Sequence, residues 1–182
     1  MRFLWLPRRN WLLYPRFHFG DYPCIIFGVN ATKSLVVVVE TKDAGDKFAM
    51  TATRPIPFEA RSGDYLAVLL RRLAATFDRD GRGVNSTIAL LKCSSGRFGS
   101  CLKAIKGEAI SELVAFQKGL RVFKVPPQSL KRTLGWAADQ KWRDRASELF
   151  NPDGNRRNWS KSAAGAAVVA LKVAAELFSS PG

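Results

Sequence analysis

Residues 24–41 read Cys24-Ile25-Ile26-Phe27-Gly28-Val29-Asn30-Ala31-Thr32-Lys33-Ser34-Leu35-Val36-Val37-Val38-Val39-Glu40-Thr41, and their pattern decides the fold. Two apolar runs, 24–30 and 34–41, flank the short segment Ala31-Thr32-Lys33, and the second run is β-branched from Val36 to Val39. Side chains branched at Cβ favour the extended backbone, so the spacing predicts a β-hairpin whose first strand ends on Asn30. A third strand is expected over 47–53, where Phe48, Met50 and Ala52 alternate with polar neighbours, and Pro55 and Pro57 are expected to end it.

Beyond the prolines the period becomes helical. Leu66, Leu69, Leu70, Leu73 and Phe77 form one stripe with Arg71 and Arg72 opposite, and Gly81 and Gly83 close that helix. Residues 87–92 read as a fourth strand and 102–118 as a second helix, with Leu102, Ile105, Ala109, Leu113 and Phe116 as its expected inner face and Gly119 as its stop. A fifth strand over 120–125 is followed by Pro126 and Pro127, which suit entry to a short helix at 129–134. Two more helices are expected at 139–150 and 160–178, separated by a polar turn at 151–158. Three consecutive strands make an antiparallel meander, whereas strand-helix-strand units need parallel crossovers. The expected architecture is therefore α/β, a mixed five-stranded sheet flanked by helices over residues 21–178, with a detachable arm at 1–20 and a tail at 179–182.

With 182 residues the chain suits one domain with a real core. Lys and Arg number 29 against 15 acids, giving a formal charge of +14, so polyanions are the natural partners. Nucleic acid, DNA or RNA, ranks first, ahead of acidic protein surfaces and anionic lipid. Three cysteines and a single histidine are too few for a disulfide framework or a zinc site, and a reducing, cytoplasmic setting is expected. No apolar run approaches the ~18 residues of a spanning helix. The alanine-rich stretch 163–175 is broken by Lys172 and reads as a buried helix of a soluble protein, with no membrane partner.

The first twenty residues hold Arg2, Arg8, Arg9 and Arg16 among Phe3, Trp5, Trp11, Tyr14, Phe17 and Phe19, without an acid. Pro7 and Pro15 interrupt the helix that a mitochondrial presequence would need. The arm reads instead as a docking segment that stacks on bases and pairs with phosphates, or as an extension packed on its own domain.

Specific residues sharpen the element order. Gly28-Val29-Asn30 resembles the Gly-hydrophobic-Asp step of RuvC-type resolvases, and Ile88-Ala89-Leu90-Leu91 resembles the strand that ends on their catalytic Glu. Val125-Pro126-Pro127 through Leu130-Lys131, Thr133 and Gly135 is similar to their Pro-x-x-hydrophobic-Lys-x-Thr segment. Residues 92–113, with Ser95-Gly96-Arg97-Phe98-Gly99, resemble a small bacterial branch of RuvC-like proteins in which a Glu precedes an Arg-Pro-x-Lys-Gly-Lys-Phe-like loop. The resemblance spans about residues 24–178 and implies a ribonuclease H-like fold.

It also implies where catalytic acids would stand, and this chain departs from the pattern at each place. Asn30 offers a neutral carbonyl, Leu91 offers nothing, and Ser162, with Gly165 one turn later, offers at most a hydroxyl. Two-metal hydrolysis needs several carboxylates around its cations, so no metal or other cofactor is expected and the resemblance implies a pseudo-nuclease. Glu40, Glu108 and Glu112 are the candidates for relocated acids, but Glu40 lies far along the second strand, and the last two share a helix face at i, i+4 and read as a solvated surface pair. Residues 119–161 carry ten basic side chains against four acids. Lys92, Arg97, Lys103, Lys106, Lys131, Arg132, Lys141, Arg143 and Lys161 are the expected nucleic-acid contacts, reading shape and backbone. The expected function is a non-catalytic, nucleic-acid-binding subunit with protein partners in a larger machine for DNA processing, mobile-element biology or antiviral defence. The alternatives are an interaction module docking on an acidic protein and a metal nuclease with displaced ligands.

Overall fold

The computed structural model describes residues 25–43, 48–58, 64–78, 86–93, 101–133, 141–150 and 159–179. The expected arm at 1–20 and most of the tail at 179–182 lie outside these residues. The chain runs β1 (Ile25–Ala31), β2 (Leu35–Asp43), β3 (Phe48–Pro57), α1 (Tyr65–Asp78), β4 (Ser86–Leu91), α2 (Leu102–Gln117), β5 (Arg121–Val125), α3 (Pro127–Thr133), α4 (Trp142–Phe150) and α5 (Lys161–Ser179). The sheet order is β3-β2-β1-β4-β5. β1 to β3 form the expected antiparallel meander, and β4 and β5 add in parallel beside β1. This is the mixed five-stranded α/β architecture that the element order predicts.

Alternation along β1 builds the two layers. Ile25, Phe27, Val29 and Ala31 face a core shared with Leu69, Leu73 and Phe77 of α1 and Val114 and Ala115 of α2. Ile26 faces the opposite core, which α5 fills with Ala163, Ala164, Ala166, Ala167, Val168, Val169, Ala170, Val173 and Ala174. Lys172 is buried on α5 and ion-pairs with Glu176 one turn on, so the stem lies in the core while its charge is matched. At Gly28 a Cβ would lie 1.9 Å from the Ala166 carbonyl oxygen, so β1 and α5 approach with no room for a side chain between them.

Two expectations fail. β3 continues through Pro55 and Pro57, which stand opposite Val37 and Leu35. The Phe58 amide donates to the Ser34 carbonyl at 2.9 Å, so the even-numbered amides here point at β2 and the odd-numbered prolines turn their missing donors to the outer edge of the sheet formed by the described residues. A proline costs no ladder bond at such a position.

The second failure is the face of α2. Leu102, Ile105, Leu113 and Phe116, expected inward, are 63%, 45%, 43% and 80% exposed. The buried face is Ala104, Gly107, Ser111, Val114 and Ala115. A Cβ on Gly107 would already stand 3.0 Å from Phe58 and Val36 side chains and 3.1 Å from Ala31. The helix lies so close to the sheet that only small residues fit beneath it, and its large apolar side chains point outward.

Gly28→Ala is expected to cost at least about 2–3 kcal/mol, because the added methyl cannot be placed without moving α5 off the sheet. Gly119 also requires glycine for a different reason, a φ of +67° after α2, but has open space around it. Gly119→Ala should therefore cost less, about 1–2 kcal/mol for the left-handed backbone alone. Thermal melts of both variants check the order, and an equal or reversed loss would mean that α5 yields easily.

Candidate nucleic-acid interface

The C-terminal ends of the parallel strands β1 and β4 open onto a cavity of about 630 Å³. Its floor joins Asn30 from β1, Leu91 from β4, and Ser162 and Gly165 from the first turns of α5. Asn30 donates from Nδ2 to the Ser162 carbonyl oxygen at 3.0 Å, pinning the strand end to the helix start. A Cβ on Gly165 would come within 2.7 Å of Asn30 Nδ2 and 3.2 Å of Leu91 Cδ2, so no side chain fits at that position while Asn30 holds this bond. Leu91 is 7% exposed and belongs to the α5 core. The four positions that sequence reasoning singled out thus meet in one place, joined by an amide, an apolar side chain and a close helix contact.

Three ammonium groups rim the cavity. Lys33 comes from the β1–β2 turn, Lys92 follows β4, and Lys161 begins α5. None has an ion-pair partner among the described residues, and no Asp or Glu stands among the described residues lining the cavity. Thr32 accepts and donates within its own turn, its hydroxyl bonding the Leu35 carbonyl at 2.9 Å, which orders the segment carrying Lys33. Ser160 caps α5 by accepting the Ala163 amide at 3.1 Å. The positive end of that nineteen-residue helix therefore faces the same space as the lysines. Trp142 of α4 contributes an aromatic wall, and Pro127, Ala104, Cys93 and Cys101 complete one side. Burial, together with the nearby Glu108 carboxylate, pushes the Cys93 thiol up to about 12, so it stays protonated and neutral in this basic surrounding at physiological pH.

Other expected contacts are placed differently. Lys141 is exposed beside Trp142, and Arg143 is exposed on α4. Lys103 is exposed on α2, and Lys106 sits 6.0 Å from the centroid of the Tyr65 ring; neither lines the cavity. Arg97 and the side chains of Lys131 and Arg132 lie outside the described residues. Lys33 was missed by sequence reasoning; its signal was its place in the turn directly after Asn30.

The candidate relocated acids serve other bonds. Glu40 is buried on the α1 side of the sheet, opposite Phe27 in register, where it accepts the Thr51 hydroxyl at 2.7 Å and pairs with Lys42 at 3.1 Å and Arg54 at 3.9 Å. Glu108 accepts the Cys93 backbone amide at 2.8 Å, and Glu112 pairs with Lys124 at 2.6 Å, a bond that raises the Lys124 pKa. Among the described residues no group of three His, Cys, Asp or Glu side chains gathers as a metal-holding set. None of their helices is long and apolar enough to cross a membrane.

This sheet order, with a long helix across β1 and a cavity at the strand ends, defines a ribonuclease H-like fold. Comparison with solved structures narrows it to the RuvC-like form. Thermus thermophilus RuvC in complex with Holliday junction substrate superposes with a TM-score of 0.66 at 15% identity, covering 83% of this chain and 92% of that one. A second Thermus thermophilus RuvC structure gives a TM-score of 0.66 at 13% identity, with 82% and 93% covered. No protein-family model and no curated protein sequence matches the chain.

Asn30→Asp is expected to lower stability at neutral pH, because the amide donor becomes an acceptor facing the Ser162 carbonyl. The new carboxyl, part-buried against an acceptor, would titrate above the usual ~4 of an aspartate, because the exposed and solvent-screened ammonium groups of Lys33, Lys92 and Lys161 offset this desolvation only in part. A raised acid pKa favours the folded state only while the group is protonated, so the deficit relative to wild type should shrink as pH falls below about 5 and grow as it rises. Paired melts at pH 4 and pH 7 check this; a deficit independent of pH would mean that the Asn30 bond is not what matters.

Proposed function

We propose that the protein binds nucleic acid through this cavity face and holds backbone phosphate there without cleaving it, acting as a non-catalytic subunit of a larger nucleoprotein machine. The observation that carries the reading is the lining itself: Lys33, Lys92 and Lys161 surround Asn30, Leu91 and Ser162, with no described carboxylate. Hydrolysis by two metals requires anionic oxygens to hold the cations that stabilise attacking and leaving groups. Three ammonium groups and a helix N-terminus instead repel divalent cations and attract phosphate oxygens. The fold supports the partner class, since a RuvC of this architecture has been solved on a Holliday junction. Trp142 adds a face on which an unpaired base could stack.

The enzymatic alternative is tested by incubating the purified chain with branched, duplex and hybrid substrates in Mg and in Mn. No divalent-dependent cleavage is expected. Cleavage abolished by Glu108→Gln or Glu40→Gln would overturn the reading and place the reaction at a relocated acid.

Binding is tested by titrating labelled duplex and single strands across a salt series. Lys33→Ala, Lys92→Ala and Lys161→Ala together should weaken binding and flatten the salt dependence on duplex DNA by about 0.9 per lost phosphate contact, or about 2.7 for three. All three side chains are exposed, so the triple variant should keep its fold, as surface changes usually cost within ~0.5 kcal/mol each. Lys103→Ala, away from the cavity, should leave the slope nearly unchanged. An unaltered slope in a folded triple variant would remove the cavity from the interface.

A further inference from the structure

A nucleic-acid strand carries two kinds of phosphate. Each internal diester bears one negative charge, while a terminal monoester bears about −1.5 to −2 near pH 7 and presents three acceptor oxygens. They place different demands on a site.

The donors at the ends of β1 and β4 come from three separate elements. Lys33 stands in the β1–β2 turn, Lys92 directly after β4, and Lys161 at the start of α5, all three exposed and all three on the cavity lining. The Ala164 amide makes the first bond within α5, to the Ser160 carbonyl at 2.9 Å, and the Ser160 hydroxyl takes the Ala163 amide. The amides of Lys161 and Ser162 precede both and have no acceptor within the helix, so they add donors on the same side. No Asp or Glu among the described lining residues offsets this charge. One diester charge leaves most of it unmatched. A dianion at the same distances gains about twice the Coulomb energy, which scales with the product of the charges.

The shape and the aromatic wall point the same way. A volume of about 630 Å³ lies within the range of sites that enclose one small ligand. Asn30, Leu91, Ser162 and Gly165 form a floor, so the cavity receives a chain end at full depth, whereas a continuous backbone leaves on both sides and meets the rim. Trp142 packs against the α5 core and also lines the cavity. An internal base has neighbours stacked on both faces, but a terminal base has one face bare, and an aromatic ring covers that face without unstacking the strand.

We infer that the cavity recognises the phosphorylated end of a nucleic-acid strand, with Lys33, Lys92 and Lys161 around the terminal monoester and Trp142 against the terminal base. The inference rests on the nucleic-acid reading above and narrows it from phosphate in general to the phosphate at a strand end.

Competition binding to the full chain tests it, with short single strands of one sequence at fixed salt that differ only at their ends. The ends compared are 5′-phosphate, 3′-phosphate, hydroxyl at both ends, and each phosphate blocked as its methyl ester. A phosphorylated strand is expected to bind about tenfold tighter or more than the hydroxyl-ended one, the worth of one further charge-assisted hydrogen bond, and the 5′ and 3′ arms identify the end that is taken. Its methyl ester, with the charge of an internal link, should lose most of that gain. Lys33→Ala, Lys92→Ala and Lys161→Ala together should abolish the gain. Trp142→Leu should weaken binding of the phosphorylated strand about fivefold or more, and Trp142→Phe should restore it, with melts confirming that both variants are folded. Equal affinity for all the strands, still lost in the lysine variant, would overturn the inference and leave backbone binding at the cavity intact. A preference for phosphorylated ends that survives the lysine variant would overturn it by placing the end elsewhere. Binding indifferent to both the ends and the lysines would remove the cavity from the interface and overturn both readings.

Discussion

The absence of a side chain at Gly28 is the constraint on which the rest of the structure hangs. The Ala166 carbonyl occupies the space of the missing Cβ, so α5 lies directly on β1. That contact carries the first turn of the helix to the end of the strand, where Asn30 reaches the Ser162 carbonyl and Gly165 passes beneath it. The cavity exists because a helix start and two parallel strand ends are held together at this spacing. Alanines at 163, 164, 166, 167, 170 and 174 extend the same close approach along the helix. They bury little area each but admit dense packing, which supplies dispersion contacts that bulkier residues could not make at this distance.

A second glycine does the same for the other layer with a different result. Gly107 lets α2 settle between Phe58, Val36 and Ala31, and the helix then has no depth left for leucine or phenylalanine on that side. On α5 the large and small residues are both enclosed; on α2 they separate, small toward the sheet and large toward water. The sheet thus carries two differently used faces: one ends in a basic cavity whose floor is neutral, the other in an apolar ridge.

The element order was legible because β-branched runs and helical stripes are local properties, and the meander followed by strand-helix units leaves few topologies. The meeting of Asn30, Leu91 and Ser162 was legible through short motifs at the ends of those elements. The orientation of α2 was not. Its apolar stripe gave a correct helix and the wrong face, because periodicity reports that large residues share a side without reporting how much clearance lies under the helix. That clearance is set by Gly107 against residues some fifty to seventy-five positions away in the chain. β3 was cut short for a related reason: a proline breaks a strand only where its amide is needed, and edge status depends on which strands pair elsewhere. Lys33 went unremarked because the direction of a turn is decided by the fold around it. Glu108 was read as surface charge, but its bond to the Cys93 amide closes the end of β4.

The prolines of β3 have a consequence for how the protein survives at high concentration. An outer strand ordinarily offers a row of amides to any extended chain that drifts past, and sheets that accept such visitors grow into fibrils. Here the two outward amides nearest the end of β3 do not exist, and the ring of each proline occupies the place where a visiting backbone would lie. The sheet is closed to lengthening on that half of its border. Misassembly by strand exchange is blocked there by covalent structure alone, at no cost to the bonds that β3 makes inward with β2.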